Sequence, residues 1–482
     1  MVKNTKIDYS IIVILFIALL YFLLPTSNSS LDSYGYACSV RDGIYLFKPH
    51  HLLYNVLPYI FTNFFNINNT LAFMCGMNTF FAILCLFIIR LILLHYTDTK
   101  NTALSVFFLA SCFGFIRFAT DGEAYIVPLF FALYASYLTL RKKHLFLISL
   151  VAAIACLFHQ MFVFWWIGLY LFMFIEYTDK RLYHFLMYFS AALIVPIVYF
   201  LVFYLTEHGA NNIVEYVFHD YIKYDSVNVS FKKTTLLFIP VNFIRTFVQV
   251  HGYFAPLLKQ YIWILVFSIV AVVFFLMTAF KLKKCILKTV SRSSFDSRYA
   301  FSHLIIFLLH LLFACISDGN AEFMYMLPFL LIIWLTIKYT INKTFLLYFS
   351  LGLFTWNVSL GIIPSHFIQL NSDKIFADYI ATNPTEIYLV NDYPTITNLL
   401  EYYYPEKEVK IDKIAAIDTL IIDNNSILTD AVGNDRFISR GNIINGYDKQ
   451  LESKYKLEVI DRLKYDLGEL QIVRLSRFFS KL

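Results

Sequence analysis

Four short groups of polar residues interrupt an otherwise apolar chain, and these are the places where its side chains could do chemistry. The first group, Leu31-Asp32-Ser33-Tyr34, follows the first apolar segment. The carboxylate of Asp32 could act as a general base that takes a proton from a hydroxyl nucleophile. It could instead cap a short interfacial helix, because Asp follows two serines at a predicted helix start.

The second group, Lys48-Pro49-His50-His51, opens a predicted interfacial helix. Cationic side chains beside a helix N-terminus could hold a phosphate at headgroup depth. Alternatively, Lys48 simply extends toward the interface while the histidines cap the helix. Adjacent histidines point about 100° apart on a helix, so the pair is a poor signal for a metal site.

The third group is an acidic turn, Asp121-Gly122-Glu123, which follows Arg117 between the third and fourth apolar segments. The two acids could position an acceptor or hold a divalent cation, or they could only favour the dipole of the next helix. The fourth group pairs His159-Gln160 with residues 317–322. His159 could bind a lipid phosphate or a sugar hydroxyl, or it could be a structural residue of a turn.

The elements that must position these groups are membrane helices. The chain has 482 residues, of which 59% are hydrophobic, 19% aromatic and only 15% charged, whereas an average soluble domain has about 25% charged residues. A bilayer can hold this apolar surface, and it requires helices because every backbone polar group must be satisfied within the segment. We predict an all-α polytopic membrane protein of about eleven spans. The predicted spans are residues 9–25, 71–96, 102–119, 123–140, 145–158, 161–177, 183–206, 261–280, 301–316, 324–337 and 345–363.

The distribution of Lys and Arg predicts the topology. Every connection predicted inside contains Lys or Arg, as the positive-inside rule requires; these are residues 97–101, 141–144, 178–182, 281–300 and 338–344. This pattern predicts a multi-pass protein with its N-terminus on the inner, cytoplasmic side of the membrane. Outer loops 26–70 and 207–260 contain amphipathic stretches that should lie in the interface. A twelfth span at 234–256 is the main alternative, and it would place the next basic loop outside.

The composition changes at about residue 371. Residues 1–370 are expected to form the membrane module, and residues 371–482 a small extracytoplasmic α/β domain. Residues 386–391, 418–423 and 469–475 are predicted strands, and residues 395–404 a helix.

Several function classes lose support. The net charge of +6 is too small and dispersed to indicate nucleic acid, and the seven cysteines give no disulfide framework. The chain has no Walker motif, serine-hydrolase elbow, Gly-rich dinucleotide loop or HExxH motif.

The layout resembles the GT-C superfamily of membrane glycosyltransferases, and within it the bacterial branch related to protein O-mannosyltransferases and lipid A aminoarabinose transferases. The similar features are an early outer-loop acid (Asp32), interfacial helices after it, an acidic turn after span three (residues 121–125), a basic turn after span four (Arg141-Lys142-Lys143), a polar turn (His159-Gln160) and an outer C-terminal domain.

The resemblance implies an inverting transfer from a polyprenyl-phosphate sugar to a hydroxyl of a lipid, glycan or protein. It also implies a location in a bacterial inner membrane, with the C-terminal domain in the periplasm. Asp32 would be the base, and the phosphate ligands would come from Lys48, His50, His51, Arg117 and His159. The chain departs from the family in two ways. Ser rather than a second acid follows Asp32, which leaves any paired role to Asp121 or Glu123, and His-Gln stands in the turn where relatives often have Lys.

Three alternatives remain. A surface-polysaccharide polymerase or ligase would rely on outer-loop arginines, and loop 207–260 contains only Arg245. A transporter or flippase predicts charged residues in mid-span, but acids are nearly absent from the span interiors. A non-enzymatic scaffold would not need acids and cations grouped at one face.

Overall fold

The computed structural model describes residues 8–206, 209–219, 235–250, 253–282, 286–317, 319–417, 426–431 and 453–477. Its helices are α1 Tyr9–Leu23, α2 Leu31–Asp42, α3 Val56–Phe64, α4 Thr70–Leu94, α5 Thr99–Ser111, α6 Phe113–Ala119, α7 Ile126–Leu140, α8 Leu145–Phe158, α9 Val163–Glu176, α10 Arg181–Ala192, α11 Ile194–Leu205, α12 Ile213–Val217, α13 Thr235–Arg245, α14 Phe254–Gln260, α15 Ile262–Lys281, α16 Ser294–Ile316, α17 Leu327–Lys338, α18 Lys343–Asn357, α19 Ile363–Phe367, α20 Asp373–Thr382 and α21 Tyr393–Tyr403. The strands are β1 Ile286–Thr289, β2 Tyr339–Ile341, β3 Ile387–Val390, β4 Lys410–Lys413, β5 Ser426–Thr429, β6 Tyr455–Tyr465 and β7 Gly468–Arg477.

Each predicted span coincides with helix, so the fold class of a multi-pass helical membrane protein with a small C-terminal α/β domain is confirmed. Within the described residues, six helical segments are long and apolar enough to cross a membrane, or seven if one bent pair is a single span. The count of eleven is not confirmed, because the apolar helices at 9–23, 126–140, 145–158 and 160–176 are shorter than a usual span.

The twelfth-span alternative finds no support in the described residues of that segment. Helix α13 has 11 residues, contains Pro240 and ends at Arg245. At 1.5 Å per residue it is about 17 Å long, well short of the roughly 30 Å hydrocarbon core.

The third predicted span is broken at Cys112, where α5 and α6 meet at an angle of 70°. The backbone donors freed at the break have partners outside the helix. The amides of Phe113 and Gly114 donate to the carbonyls of Phe247 and Thr246 at 3.1 and 3.0 Å. Backbone polar groups at membrane depth require such partners, and the break allows α6 to carry the acidic turn that follows it.

The connections predicted to lie inside are held together by charged contacts and a short sheet. Lys343 pairs with Asp98 at 2.8 Å, and Arg298 pairs with Glu176 at 2.7 Å. Strands β1 and β2 pair antiparallel and join the two longest of these connections. Residues 97–101, 281–300 and 338–344 therefore meet at one end of the helical bundle, near the end of α9. The side of the membrane on which that end lies stays a prediction.

Contacts divide the chain into two compact units. The helical unit comprises the described residues within 1–26, 39–249 and 265–362, and the C-terminal unit those within 27–38, 250–264 and 363–482. The C-terminal unit contains a five-stranded sheet of order β4-β3-β5-β7-β6, in which β3 is parallel to both of its neighbours. Its core includes Leu389, Ile427, Val473 and Leu475.

The predicted elements at 386–391, 395–404 and 469–475 are confirmed as β3, α21 and β7. The strand predicted at 418–423 lies outside the described residues. Strands β4, β5 and β6 were not predicted. In β4 and β6, many exposed charged residues hide the alternation of a half-buried strand.

Candidate active site

The acidic turn between α6 and α7 is held by a buried amide on α4. Asn78 is fully buried, and its Nδ2 lies 2.7 Å from the carbonyl oxygens of both Asp121 and Glu123. The same nitrogen lies 3.1 Å from the phenolic oxygen of Tyr54. Asn78 therefore joins the acidic turn to the first outer loop through one side chain.

Both acids of the turn are almost inaccessible to solvent. Asp121 and Glu123 are 2% and 3% exposed, and an Asp121 carboxylate oxygen accepts from the amide of Gly122 at 2.8 Å. Burying a carboxylate costs free energy unless it is hydrogen-bonded or paired. Acids that only favoured a helix dipole would not need this burial, so the position favours the functional interpretation.

Three histidines from two distant chain segments lie together. The ring centroid of His50 is 4.2 Å from that of His51 and 6.3 Å from that of His159. The ring centroids of His51 and His159 are 6.0 Å apart. The backbone joins the segments, because the Gln160 amide donates to the carbonyl of His50 at 2.9 Å. The second and fourth groups of the sequence analysis therefore form one cluster.

Two of these imidazoles are held neutral. Burial lowers the pKa of both His51 and His159 well below the ordinary value of 6.5, and the nearby His50 lowers both further. They can thus offer N–H donors or nitrogen acceptors at neutral pH, but not positive charge. Lys48, two residues before His50 and half-buried, is cationic and adds to the depression of the His51 pKa.

Tyrosines link the histidines to the acidic turn. The ring of Tyr54 lies 6.5 Å from the ring of His51. Burial raises the pKa of the Tyr54 phenol, and the charges of Glu123 and Asp121 raise it further. Its phenol therefore stays protonated. Tyr125 stacks on His159 at 5.2 Å. We call the set His50, His51, Tyr54, Asp121, Glu123, Tyr125 and His159 the acid–histidine cluster.

Another acid approaches the cluster from the turn before α17. Glu322 accepts a 2.9 Å hydrogen bond from the hydroxyl of Tyr125. The hydroxyl of Tyr325 in turn donates to the carbonyl of Tyr125 at 2.5 Å. Residue 318, which belongs to the same predicted group, lies outside the described residues.

Arg117 is exposed on α6 and faces a second arginine. Partial burial and the charge of Arg117 lower the pKa of Arg245 at the end of α13, and Glu322 opposes this effect. The two guanidinium groups and Glu322 therefore lie within electrostatic reach of one another, beside the Tyr125 end of the cluster.

Asp32 belongs to the C-terminal unit, whereas the other predicted site residues belong to the helical unit. It is exposed in the first turn of α2, where its charge favours the helix dipole. The N-cap hydrogen bond comes from Ser30, whose Oγ accepts from the Ser33 amide at 3.1 Å. Asp32 is therefore not the cap, and its convergence with the acid–histidine cluster stays a prediction.

An apolar cavity of about 650 Å³ lies between α8, α9, α11 and α12. Its wall includes Phe164, Trp166, Tyr199, Phe218 and Gln160. The Gln160 side chain is fixed there by hydrogen bonds to Tyr199 and to the carbonyl of Val217, at 3.0 and 2.9 Å. Gln160 follows His159, so the cavity adjoins the acid–histidine cluster.

The described part of the chain contains no group of three or more His, Cys, Asp or Glu side chains arranged to hold a metal ion. A divalent cation at Asp121 and Glu123 stays a hypothesis.

Sequence reasoning identified the acids and histidines of the cluster but missed Asn78 and Tyr54. The signal for Asn78 was present, because an amide in the middle of a long apolar span is rare unless it has a partner. Tyr54 gave no signal among 35 tyrosines.

The chain was compared with protein-family models, curated proteins and solved structures. No protein-family model and no curated protein matches the sequence. The fold is similar to the crystal structure of ArnT from Cupriavidus metallidurans in the apo state, with a TM-score of 0.41 and 10% sequence identity over 96% of this chain and 97% of that chain.

Proposed function

We propose that this protein is an inverting membrane glycosyltransferase of the GT-C type, which moves a sugar from a polyprenyl-phosphate donor to a hydroxyl acceptor at the outer face of the membrane. The observation that carries the proposal is the acid–histidine cluster beside an apolar cavity. A lipid-linked sugar has a long apolar tail, a phosphate at headgroup depth and a polar sugar. The cavity, the cationic and imidazole groups, and the buried acids match these three parts.

The reaction needs a base. In the proposed step, the Asp32 carboxylate takes the proton of the acceptor hydroxyl while the acceptor oxygen forms a bond to the anomeric carbon. The bond from that carbon to the phosphate oxygen breaks, and the lipid phosphate leaves with the electron pair. Attack opposite to the leaving group inverts the anomeric configuration.

The leaving phosphate gains negative charge, which preorganised donors and cations stabilise most effectively in a site that excludes water. We assign positive charge to Lys48 and Arg117, and neutral N–H donors to His51 and His159. His50, which is half-buried beside His51 and His159, completes this proposed phosphate-binding site. Asp121 and Glu123 would bind hydroxyls of the acceptor or of the sugar.

The test is transfer of radiolabelled sugar by the full-length protein in lipid vesicles, with a panel of polyprenyl-phosphate sugars and hydroxyl acceptors. We expect Asp32→Asn to lower turnover at least about a hundredfold, because a general base contributes that much or more. Asp42→Asn is the matched control: Asp42 is exposed on the same helix, pairs with Arg41 and should be dispensable.

Two results would contradict the proposal. Wild-type turnover by the Asp32→Asn variant would remove Asp32 as base. Failure of the wild type to transfer any lipid-linked sugar, together with movement of that lipid across sealed vesicles, would favour a flippase instead.

A further inference from the structure

Helix α2 packs against α21 of the sheet domain through one stripe of residues. Leu31, Tyr34, Gly35 and Cys38 recur at helical spacing, and each contacts α21. The ring of Tyr34 lies 5.6 Å from that of Tyr402 and 5.9 Å from that of Tyr403. The other three contacts all involve Asn398.

Asn398 fixes one particular peptide group. Its Nδ2 donates to the carbonyl oxygen of Leu31 at 3.0 Å. That carbonyl belongs to the peptide unit whose nitrogen is the amide of Asp32. Because a peptide unit is planar, holding its oxygen also holds the orientation of the nitrogen and the Cα of Asp32.

Gly35 makes this hydrogen bond sterically possible. A Cβ atom at this position would stand 2.9 Å from Nδ2 of Asn398, which is closer than real contacts allow. Any larger residue would therefore push the amide away from the Leu31 carbonyl. Asp32 itself lies off the packed stripe and is exposed, so the contact orients its backbone without covering its carboxylate.

We propose that Asn398 is a positioning residue for Asp32, so that one role of the C-terminal domain is to orient the base of the transferase. The inference rests on the proposed function. A general base must lie within hydrogen-bond reach of the proton that it takes, and a displacement of about 1 Å can cost a hundredfold in rate. An amide in one domain can thus control turnover without touching a substrate.

The first experiment compares Asn398→Ala with Thr397→Ala in the full-length protein. Asn398→Ala should lower kcat roughly tenfold to a hundredfold while the KM for the lipid-linked donor stays within about twofold. Thr397 is the residue before Asn398 on α21, and its hydroxyl donates within the helix to the carbonyl of Tyr393. Its replacement should leave kcat at the wild-type value.

A second variant separates positioning from folding. Gly35→Ala keeps Asn398 and favours the helix, because alanine has the higher helix propensity. It should therefore retain the thermal stability of the wild type and yet lower kcat by about the same factor as Asn398→Ala.

The decisive measurement is the effect of Asn398→Ala on the residual transfer rate of the Asp32→Asn variant. If Asn398 acts through Asp32, adding Asn398→Ala to Asp32→Asn lowers the residual rate no further, since coupled residues are not additive. A further fall by the full factor of the single mutant would overturn the inference. Unchanged turnover in Asp32→Asn alone would instead overturn Asp32 as the base, so the two failures are distinguishable.

Discussion

At the scale of single residues, the buried amide of Asn78 determines where the acidic turn lies. We expect Asn78→Ala to lower the stability of the protein and to abolish most transfer activity. Each buried backbone carbonyl that loses its partner costs about 1–3 kcal/mol, and Asn78 serves two of them, on Asp121 and Glu123. Thermal unfolding in detergent and initial transfer rates measure the two effects.

The matched control for this variant is Thr79→Val. Thr79 is the next residue on α4, and its hydroxyl donates to the carbonyl of Ala119, which lies before the acidic turn. Its replacement should lower the melting temperature less and keep most of the transfer rate. An Asn78→Ala protein with wild-type stability and rate would show that the turn does not depend on the amide.

The buried histidines predict how stability varies with pH. Burial depresses the pKa of His51 and His159 in the folded protein, whereas unfolding returns them to about 6.5. Below that pH the unfolded chain binds protons that the folded protein excludes, so stability should fall as the pH decreases from about 6.5. Each histidine can contribute at most about 1.4 kcal/mol per pH unit.

Replacement of one histidine tests this assignment. We expect His159→Gln to reduce the slope of melting temperature against pH between about pH 6.5 and 5. His95→Gln, at an exposed position at the end of α4, should leave the slope unchanged. Equal slopes for wild type and His159→Gln would show that the ring of His159 is protonated in the folded state.

The residues that could be predicted from the sequence are those that stand out locally. Asp121 and His159 interrupt apolar runs at predicted turns, and that contrast alone points to them. Asn398 gives no such contrast, since it lies in an ordinary amphipathic helix and its partner Leu31 is hundreds of positions away in the chain. Contacts of this kind require the tertiary fold, because no local pattern encodes them.

At the scale of elements, Asn357 stabilises the break between α5 and α6. Its Nδ2 donates to the carbonyls of Ser111 and Phe247, and its Oδ1 accepts from the amide of Gln249. We expect Asn357→Leu to destabilise the protein by about 1–3 kcal/mol, because the buried carbonyl of Ser111 loses its Asn357 partner, and the half-buried carbonyl of Phe247 and amide of Gln249 each lose a hydrogen bond. Transfer activity should fall as well, since α6 carries the acidic turn.

Ser350→Ala is the control on the same helix. Ser350 is also fully buried, but its hydroxyl bonds only to the carbonyl of Leu346 in its own helix, and alanine should be tolerated. Chemical denaturation or thermal unfolding of the two variants would distinguish the roles. Similar losses in both would mean that burial, rather than the break, determines the effect.

The helices themselves followed from local sequence. Apolar runs gave their positions but not their starts. Helices α5 and α16 begin at Thr99 and Ser294, after the capping residues Asp98 and Ser293, whereas the predicted spans begin at residues 102 and 301. The break at Cys112 could not be predicted from the local sequence, because no proline marks it. Its unpaired amides are satisfied by residues 246 and 247, from a segment read only as an interfacial helix.

At the scale of the whole molecule, the remaining expectation is the orientation in the membrane. Labelling of single introduced cysteines with a membrane-impermeant maleimide tests it, in a Cys285→Ser background that removes the native thiol from a predicted inside loop. Glu406→Cys lies in an exposed turn of the C-terminal unit and should react in intact cells. Lys143→Cys, exposed after α7, should react only after permeabilisation.

This experiment bears on the chemistry as well as on the topology. The proposed reaction requires the donor phosphate to lie on the same side of the membrane as Asp32, because a base must reach the proton that it takes from its substrate. Labelling of Lys143→Cys in intact cells would show that the orientation of the protein in the membrane is the reverse of the predicted one. Sugar transfer would then have to occur at the cytoplasmic face, and an acceptor outside the cell would no longer fit.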